Sequence, residues 1–431
     1  MGWRGAGMFA VMFALLALVG FVQSWPLAFT ILNLCLISAV LSLGVNIQWG
    51  YAGLLNVGVM GFVALGGVAG VVVSLPPVTE AVQAGGAGIL LALLVALMTA
   101  GVVWFLARSL RGGLRTVAIA VVLIAGAFVA RGVFDPAVEA IEAVDSARTG
   151  FLGGLGLPIL FSWVVGGLFA AGAAWLIGKV SLGLRSDYLA IATLGISEIV
   201  IAVLKNEDWL TRGVKNVTGL SRPVPYEVDL QESPRLIELA DRWNMSIVDV
   251  ASVAVKLCYA GLFLAVLLIV LTLSERALKS PWGRMMRAIR DNEVAAEAMG
   301  KDVTARHLQV FVLGSAVLGI AGAMLTTLDG QFTPGSYQPL RFTFLIWVMV
   351  IVGGSGNNWG AVLGGFVVWF FWVEAEPIGL WFMDLLTSGL SEDSALRAHL
   401  LESAAHMRLM TMGAILLLVL RFAPKGLIPE R

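Results

Sequence analysis

Few residues in this 431-residue chain are placed to break bonds, and the exceptions point to charge and unwound backbone held inside a membrane. His307, His399 and His406 stand apart from any Cys/Asp cluster, which leaves no metal-ligand spacing. Cys35 and Cys258 both fall in apolar runs and read as packing residues, not as a disulfide. The pair Gly178-Lys179 lacks its upstream glycine, where Ala173 stands, and no Ser or Thr follows Lys179, so a phosphate loop is excluded. No catalytic residue and no metal site is assigned. Glu198 is different: it lies midway along the apolar run Tyr188 to Leu204, where an ionised carboxylate costs about 2.5–3.5 kcal/mol unless it is paired or wet. It should therefore point into the bundle, either lining a pathway and meeting an ammonium group, or accepting N–H groups from a broken helix.

Two glycine-rich interruptions supply such breaks. GYAGLLNVG runs from Gly50 to Gly58 and contains Gly53 and Asn56, while GGSGNNWG starts at Gly353 and contains Gly354 and Gly356. Non-helical backbone at membrane depth persists only where protein or a water-lined cavity covers its polar groups, so both are candidate pathway walls. A third feature is the charged stretch Ser274 to His307, in which seven Lys/Arg face five carboxylates between two long apolar runs. Excess positive charge beside a span marks the cytoplasmic side. Pro281 can start a helix, Trp282 to Met299 is rich in helix formers, and Gly300 can stop it. Met286, Ile289, Ala296 and Met299 fall near one side, which predicts an amphipathic helix lying across the inner membrane face.

The elements that position these residues follow from composition. With 59% hydrophobic and 13% charged residues, the chain is far more apolar than a soluble protein. Its apolar runs match a hydrocarbon core of roughly 30 Å as helices, and strict two-residue alternation is absent. The expected class is all-α, a polytopic transmembrane bundle of 10–12 spans with broken or short helices. Residues 1–431 are expected to form a single domain, with residues 205–249 as an outer loop and 274–307 as an inner one. Loops predicted to face inward hold 16 of the 28 Lys/Arg and seven carboxylates, and Arg148 stands alone against four carboxylates in an outward loop. That asymmetry puts both termini in the cytoplasm, Arg431 included. Pro76 to Gly88 is read as an outer turn, Phe134 to Pro158 as an outer loop, and Glu374 to Glu402 as an outer acidic stretch.

The run RAIRDNEVAAEAMG resembles the cytoplasmic loop of permeases of the branched-chain amino acid branch of ATP-binding-cassette importers. GYAGLLNVG, SDYLAIATLGISEIV, LTRGVKNVTGL, IVGGSGNNWGAVLGG and FAPKGL are similar to hallmarks of that family, and they occur in its order. The chain departs from the pattern at Val294, where importers in general carry Glu, and at Arg212-Gly213, where a Gly-Gly pair is usual. The insert Arg222 to Asp249 and a fifth span, Thr116 to Ala130, have no obvious counterpart. The resemblance implies a short helix that docks into an ATPase cleft, with Arg287, Asp291, Glu293, Ala295, Ala296 and Gly300 as coupling residues. It further implies a homologous second permease, two cytoplasmic ATP-binding subunits and a periplasmic substrate-binding protein around a chain in the bacterial inner membrane. No cofactor is expected in this chain, since ATP and Mg would sit on the partner ATPases, and no nucleic acid is involved. Transport of urea or short amides is a close alternative within the family. An autonomous ion-coupled carrier is the alternative outside it, disfavoured because Glu198 is the single clear intramembrane carboxylate and such carriers usually need several.

Overall fold

We describe a computed structural model that covers residues 2–145, 149–390 and 394–430; Arg148 and Arg431 lie outside the described residues. The bundle is built around the helix Val303–Asp329, which packs against three others. In chain order, α1 (Trp3–Val22) and α2 (Trp25–Val45) are joined at Ser24, whose Oγ accepts the Leu27 N–H at 3.3 Å. A π-helical turn, Asn46–Gly50, ends α2 before α3 (Val59–Ser74) runs back. α4 (Thr79–Ala81) and a second π turn (Val82–Gly86) lead into α5 (Ala87–Ser109), followed by α6 (Gly112–Val144), α7 (Leu160–Ser181) and α8 (Ser186–Asn206). A cap follows, made of α9 (Asp208–Thr211), β1 (Val217–Thr218), α10 (Glu227–Gln231) and α11 (Pro234–Trp243). Beyond it come α12 (Ile247–Lys279), the short pair α13 (Pro281–Asp291) and α14 (Glu293–Ala298), and the central α15 (Val303–Asp329). β2 (Gln331–Phe332), α16 (Pro339–Gly353), α17 (Asn358–Thr387), α18 (Ala395–Ser403) and α19 (Met407–Phe422) complete the chain.

Among the described residues, nine helices are long and apolar enough to cross a membrane, and α18 with α19 forms a bent pair that makes a tenth. The two shorter apolar helices, α3 and α16, each abut a glycine break. The expected all-α polytopic bundle with short and broken helices is what the chain forms. The centre is close-packed through glycine: α3, α7 and α15 meet where Gly66, Gly166 and Gly319 face one another, and a Cβ on Gly166 would stand 2.9 Å from the Gly66 carbonyl oxygen. Small residues let helix backbones approach closely where lipid provides no hydrophobic drive for association. α5 and α6 pack chiefly on each other and leave almost all of their apolar surface exposed, so the predicted span Thr116 to Ala130 belongs to a peripheral hairpin.

The two ends of the bundle sort as the charge pattern predicts. β1 pairs antiparallel with β2, Pro77 bridges Gly153, and the Leu152 N–H donates to the Trp209 carbonyl at 2.9 Å, so three loops read as outer, those at Pro76, Phe134 and Lys205, share one end with β2. The glycine breaks, α13–α14 and the C-terminal residues share the other. Four expectations are corrected. The turn at Pro76 to Gly88 is helical from Thr79 onward, and the loop expected from Phe134 is helix as far as Val144. The acidic stretch from Glu374 likewise begins inside α17, which passes Pro377 and ends only at Thr387. Glu374 is 3% exposed, and its Oε2 accepts the Gln23 side-chain N–H at 2.8 Å; that partner lets the helix carry a carboxylate where charge alone marked an end. Finally, Trp282 to Met299 is two helices. Asn292 is extended (φ −155°, ψ 97°), and its side chain caps α14 by accepting the Ala295 N–H at 2.9 Å.

Candidate functional site

The two glycine breaks meet each other, and the meeting is made by side-chain amides. Where α2 unwinds, Asn46 Oδ1 accepts the Gly356 N–H at 2.9 Å, and Asn46 Nδ2 donates to Asn358 Oδ1 at 3.1 Å. The Tyr51 hydroxyl donates to the same Asn358 oxygen. Asn358 Nδ2 in turn donates to Glu275 Oε1 at 3.0 Å, and Glu275 pairs with Lys279 at 3.1 Å. A second set holds the inner curve of the first break. Gln48 Nε2 donates to the Phe311 carbonyl and to Ser315 Oγ, both at 3.0 Å, while its Oε1 accepts Asn56 Nδ2 at 2.8 Å. Asn56 Oδ1 accepts the Gly58 N–H at 2.9 Å, and its carbonyl accepts Trp347 Nε1 at 3.0 Å. Asn46, Gln48 and Asn358 are fully buried, so this network supplies the partners that unwound backbone at membrane depth requires.

At the second break, Gly354 has φ +115°, a conformation that side-chain-bearing residues rarely adopt. The C-terminal segment closes over it: the Leu427 N–H donates to the Val352 carbonyl and the Ile428 N–H to the Gly353 carbonyl, both at 2.9 Å. The Asn357 side chain donates to the Pro429 carbonyl at 3.0 Å and caps α17 by accepting the Trp359 N–H at 3.0 Å. α13 is fastened beneath both breaks. Arg290 Nη1 donates to the Gly50 carbonyl and pairs with Glu430 Oε2 at 2.9 Å, and Arg287 lies 4.0 Å from Glu430. A cavity of about 320 Å³ remains between them, bordered by Glu275, Lys279, Arg287, Gly356 and Glu430.

The structure thus gathers Gly50, Gly53, Gly353, Gly354 and Gly356 at one seat against α13, with Gly53 facing the Arg290 side chain. Asn56 and Gly58 sit at its edge, where the Val57 N–H donates to Thr193 Oγ1 at 3.1 Å. Glu198 is not brought there. It is exposed on α8, one turn from the buried Thr193 and beside the buried Ser197, and it borders an open groove of about 960 Å³ with Lys205, Arg341, His406 and Arg408. The expectation that Glu198 points into this chain's own bundle is corrected, and the bond to the broken helix falls to Thr193.

In the charged stretch, Asp291 flanks Arg290 at 3.3 Å, and Gly300 ends the segment with φ +77° as expected. Met286, Ile289 and Ala296 are buried, at 0%, 1% and 9% exposure. Met299 does not join them: the break at Asn292 turns α14, leaving Val294 76% and Met299 80% exposed, with Glu293 and Ala295 on the open side. The amides Asn46, Gln48 and Asn358 escaped sequence reasoning. Their signal was uncharged polarity at the edges of apolar runs, a weaker mark than charge.

Comparison with known proteins bears on what this geometry serves. No solved structure matches the chain. It is 26% identical over 268 residues to the high-affinity branched-chain amino acid transport system permease protein LivM of Salmonella typhimurium, covering 61% of this chain and 56% of the relative. The LivM protein of Escherichia coli gives 26% over 274 residues, 62% of this chain and again 56% of the relative. The chain therefore spans little more than half the length of these relatives. The permease protein LivH of Salmonella typhimurium is 24% identical over 226 residues, 46% of this chain and 73% of the relative. The family profile described as branched-chain amino acid transport system / permease component matches residues 111–420. With most of its length inside that profile and its helices arranged as a polytopic bundle, this chain belongs to the family of branched-chain amino acid transport permease components.

Proposed function

We propose that this chain is one transmembrane subunit of an ATP-driven importer that moves branched-chain or related small amino acids across the bacterial inner membrane. The observation that carries this is the fastening of α13 to both glycine breaks through Arg290, Gly50 and Glu430, next to the exposed Val294 of α14 and the exposed Met299 that follows it. Exposed apolar residues beside charged ones on a short helix suit docking into a partner groove. α13–α14, within residues 274–307, is the surface for one of two cytoplasmic ATP-binding subunits, on which ATP and Mg are bound. The capped end with residues 205–249 faces the periplasm and a substrate-binding protein, and both termini lie in the cytoplasm. Movement of α13 reaches α2 and α17 through the seat at Gly50, Asn46, Asn358 and Gly356, so the breaks act as hinges of the pathway wall. Similarity to both LivM-named and LivH-named permeases supports a homologous second permease. Its contact surface is the α8 face, because Glu198 at membrane depth would be costly against lipid and needs a partner or water there.

The test uses a host that lacks its own branched-chain uptake and expresses this chain with its neighbouring permease, ATPases and binding protein. The paired substitution Val294→Glu and Met299→Glu is expected to stop co-purification of the ATPases and to reduce leucine uptake at least tenfold while the chain still inserts. Full uptake would remove α14 from the docking surface. Ala296→Arg is a poorer probe, since Ala296 packs into this chain and its loss would perturb the fold itself. Glu198→Gln keeps shape and removes charge; uptake should fall at least tenfold with assembly and ATP hydrolysis intact. Unaltered uptake would take Glu198 out of the pathway.

The buried carboxylate of Glu374, bonded to Gln23 with its second oxygen unpartnered among the described residues, favours a second reading as an ion-coupled carrier. In that case an uncoupler that leaves cellular ATP intact abolishes uptake. In the importer it does not.

A further inference from the structure

The α5–α6 hairpin is fastened to the rest of the chain at the capped end. Pro77 bridges Gly153 just before it, and the Phe134 ring of α6 meets Trp209 edge-on at 5.6 Å. From Phe134 back to Gly112, α6 runs about 33 Å at 1.5 Å per residue, which matches a hydrocarbon core of roughly 30 Å. The tip, Leu110 to Gly112, therefore lies at the opposite face of the membrane, the one that carries α13–α14. In the most apolar stretch of each helix, 6% of residues on the run ending in α5 and none on α6 are buried, so lipid surrounds the hairpin. Its tip is cationic. Arg108, Arg111 and Arg115 fall there, and no Asp or Glu occurs between Glu80 and Asp135. All three arginines are exposed and have no hydrogen bond or ion pair among the described residues. The Arg108 guanidinium lies over the Trp104 ring at 3.9 Å, which leaves its N–H edge free to donate. Other basic residues at that face are taken: Arg290 pairs with Glu430, Lys279 with Glu275, and Arg306 Nη1 donates to Gln309 Oε1 at 3.0 Å.

Apolar side chains flank these arginines closely. Trp104, Phe105, Leu114 and Val117 are all exposed. A partner of the tip must therefore satisfy two conditions at once: a negative group with several acceptor oxygens, and an apolar body that lies along the helices below it. An anionic phospholipid meets both, because its phosphate suits the forked donors of arginine and its acyl chains cover the exposed faces of α5 and α6. Clusters of basic residues just beyond a membrane span attract anionic headgroups. An acidic protein segment meets the first condition alone, and a zwitterionic lipid brings a cation that three arginines repel. We infer that the α5–α6 tip binds an anionic phospholipid through Arg108, Arg111 and Arg115. The lipid thereby fastens the end of the hairpin that is remote from its attachment at the capped end. That the leaflet is the inner one rests on the orientation proposed above; the binding itself does not.

The experiment offers the purified full-length chain, in mild detergent, equal amounts of phosphatidylglycerol and phosphatidylcholine with identical acyl chains, and counts the retained lipids by native mass spectrometry. Phosphatidylglycerol should be retained at least tenfold over phosphatidylcholine and should raise the melting temperature. The combined substitutions Arg108→Gln, Arg111→Gln and Arg115→Gln should abolish that preference and the thermal shift. Without added lipid this variant should melt like the parent, because the three side chains pair with nothing in the chain. A charge-matched control, Arg4→Gln with Lys179→Gln and Arg185→Gln, removes three other exposed cations and should keep the preference. Equal retention of the two lipids, an undiminished preference in the tip variant, or an equal loss in the control overturns the inference. Displacement of the lipid by inorganic phosphate would reduce the tip to a bare anion site and also overturn it. If the tip variant instead loses an ATPase subunit while its lipid preference is intact, the partner is an acidic protein surface and the inference fails. Leucine uptake by the complete system tests the transport reading separately. Selective retention without uptake leaves the lipid site standing and removes the function, and uptake without selective retention does the reverse.

Discussion

Gly319→Val is expected to abolish folded protein in the membrane. A Cβ there would meet the Gly166 carbonyl oxygen of α7 and would stand 2.6 Å from the Ala170 Cβ. The obstacle is backbone and a neighbouring Cβ, not the far end of a flexible side chain, so no rotamer change relieves it. Overpacking a core usually costs about 1–3 kcal/mol and more where backbone must shift. Here the central helix contact of the bundle would open, and with it the approach of Gly166 to Gly66 on α3. Gly261→Val is the matched control: Gly261 sits in α12 with nothing within 4 Å, so valine there should change stability by no more than about 0.5 kcal/mol. The measurement is the yield of monodisperse protein on size exclusion and its melting temperature in detergent. A Gly319→Val protein that purifies and melts like the parent would show that α3, α7 and α15 do not meet as described.

Arg290→Met should separate ATP hydrolysis from transport. Arg290 is the side chain that touches both sides of the seat, donating to the Gly50 carbonyl where α2 unwinds and pairing with Glu430 beside the second break. Its side chain is 24% exposed and that of Glu430 is 27%, so the pair is largely shielded and a charged hydrogen bond there is worth about 1.5–3 kcal/mol. Methionine keeps the length of the apolar stem and removes both bonds, leaving Glu430 with Arg287 at 4.0 Å. α13 remains docked through Met286 and Ile289, which are buried independently of Arg290. Leucine uptake should therefore fall at least tenfold while the assembled complex continues to hydrolyse ATP. Arg290→Lys should rescue little, because a point charge cannot reproduce the forked geometry that reaches two acceptors. Glu430→Gln keeps the bond to Gly50 and should retain more transport than Arg290→Met. Equal uptake in Arg290→Met and the parent would dissociate α13 from the glycine breaks.

The fold class, a polytopic bundle of apolar helices with short and broken members, was legible in the sequence, because the bilayer imposes a single rule of length and apolarity on every span. The breaks at Gly50–Gly58 and Gly353–Gly356 were legible too, since glycine clusters interrupt apolar runs visibly. That the breaks join was not. Asn46 and Asn358 are 312 positions apart, and an amide pair between distant helices leaves no periodicity in either. Glu198 stood out as a carboxylate inside an apolar run, yet its direction depended on which face of α8 packs inward, and Thr193 and Ser197 took that face. Glu374 was misplaced for the converse reason: a carboxylate near the end of an apolar run reads as solvent until Gln23, 351 positions away, is seen to receive it. Met299 looked like part of a buried stripe because helical spacing assumes one continuous helix, and a single extended residue, Asn292, rotated what followed. Local spacing and composition determined which segments form long apolar helices and where glycine interrupts them. Only tertiary packing decided which polar groups face one another, because pairing between helices depends on their relative rotation and depth, and the one-dimensional pattern carries neither.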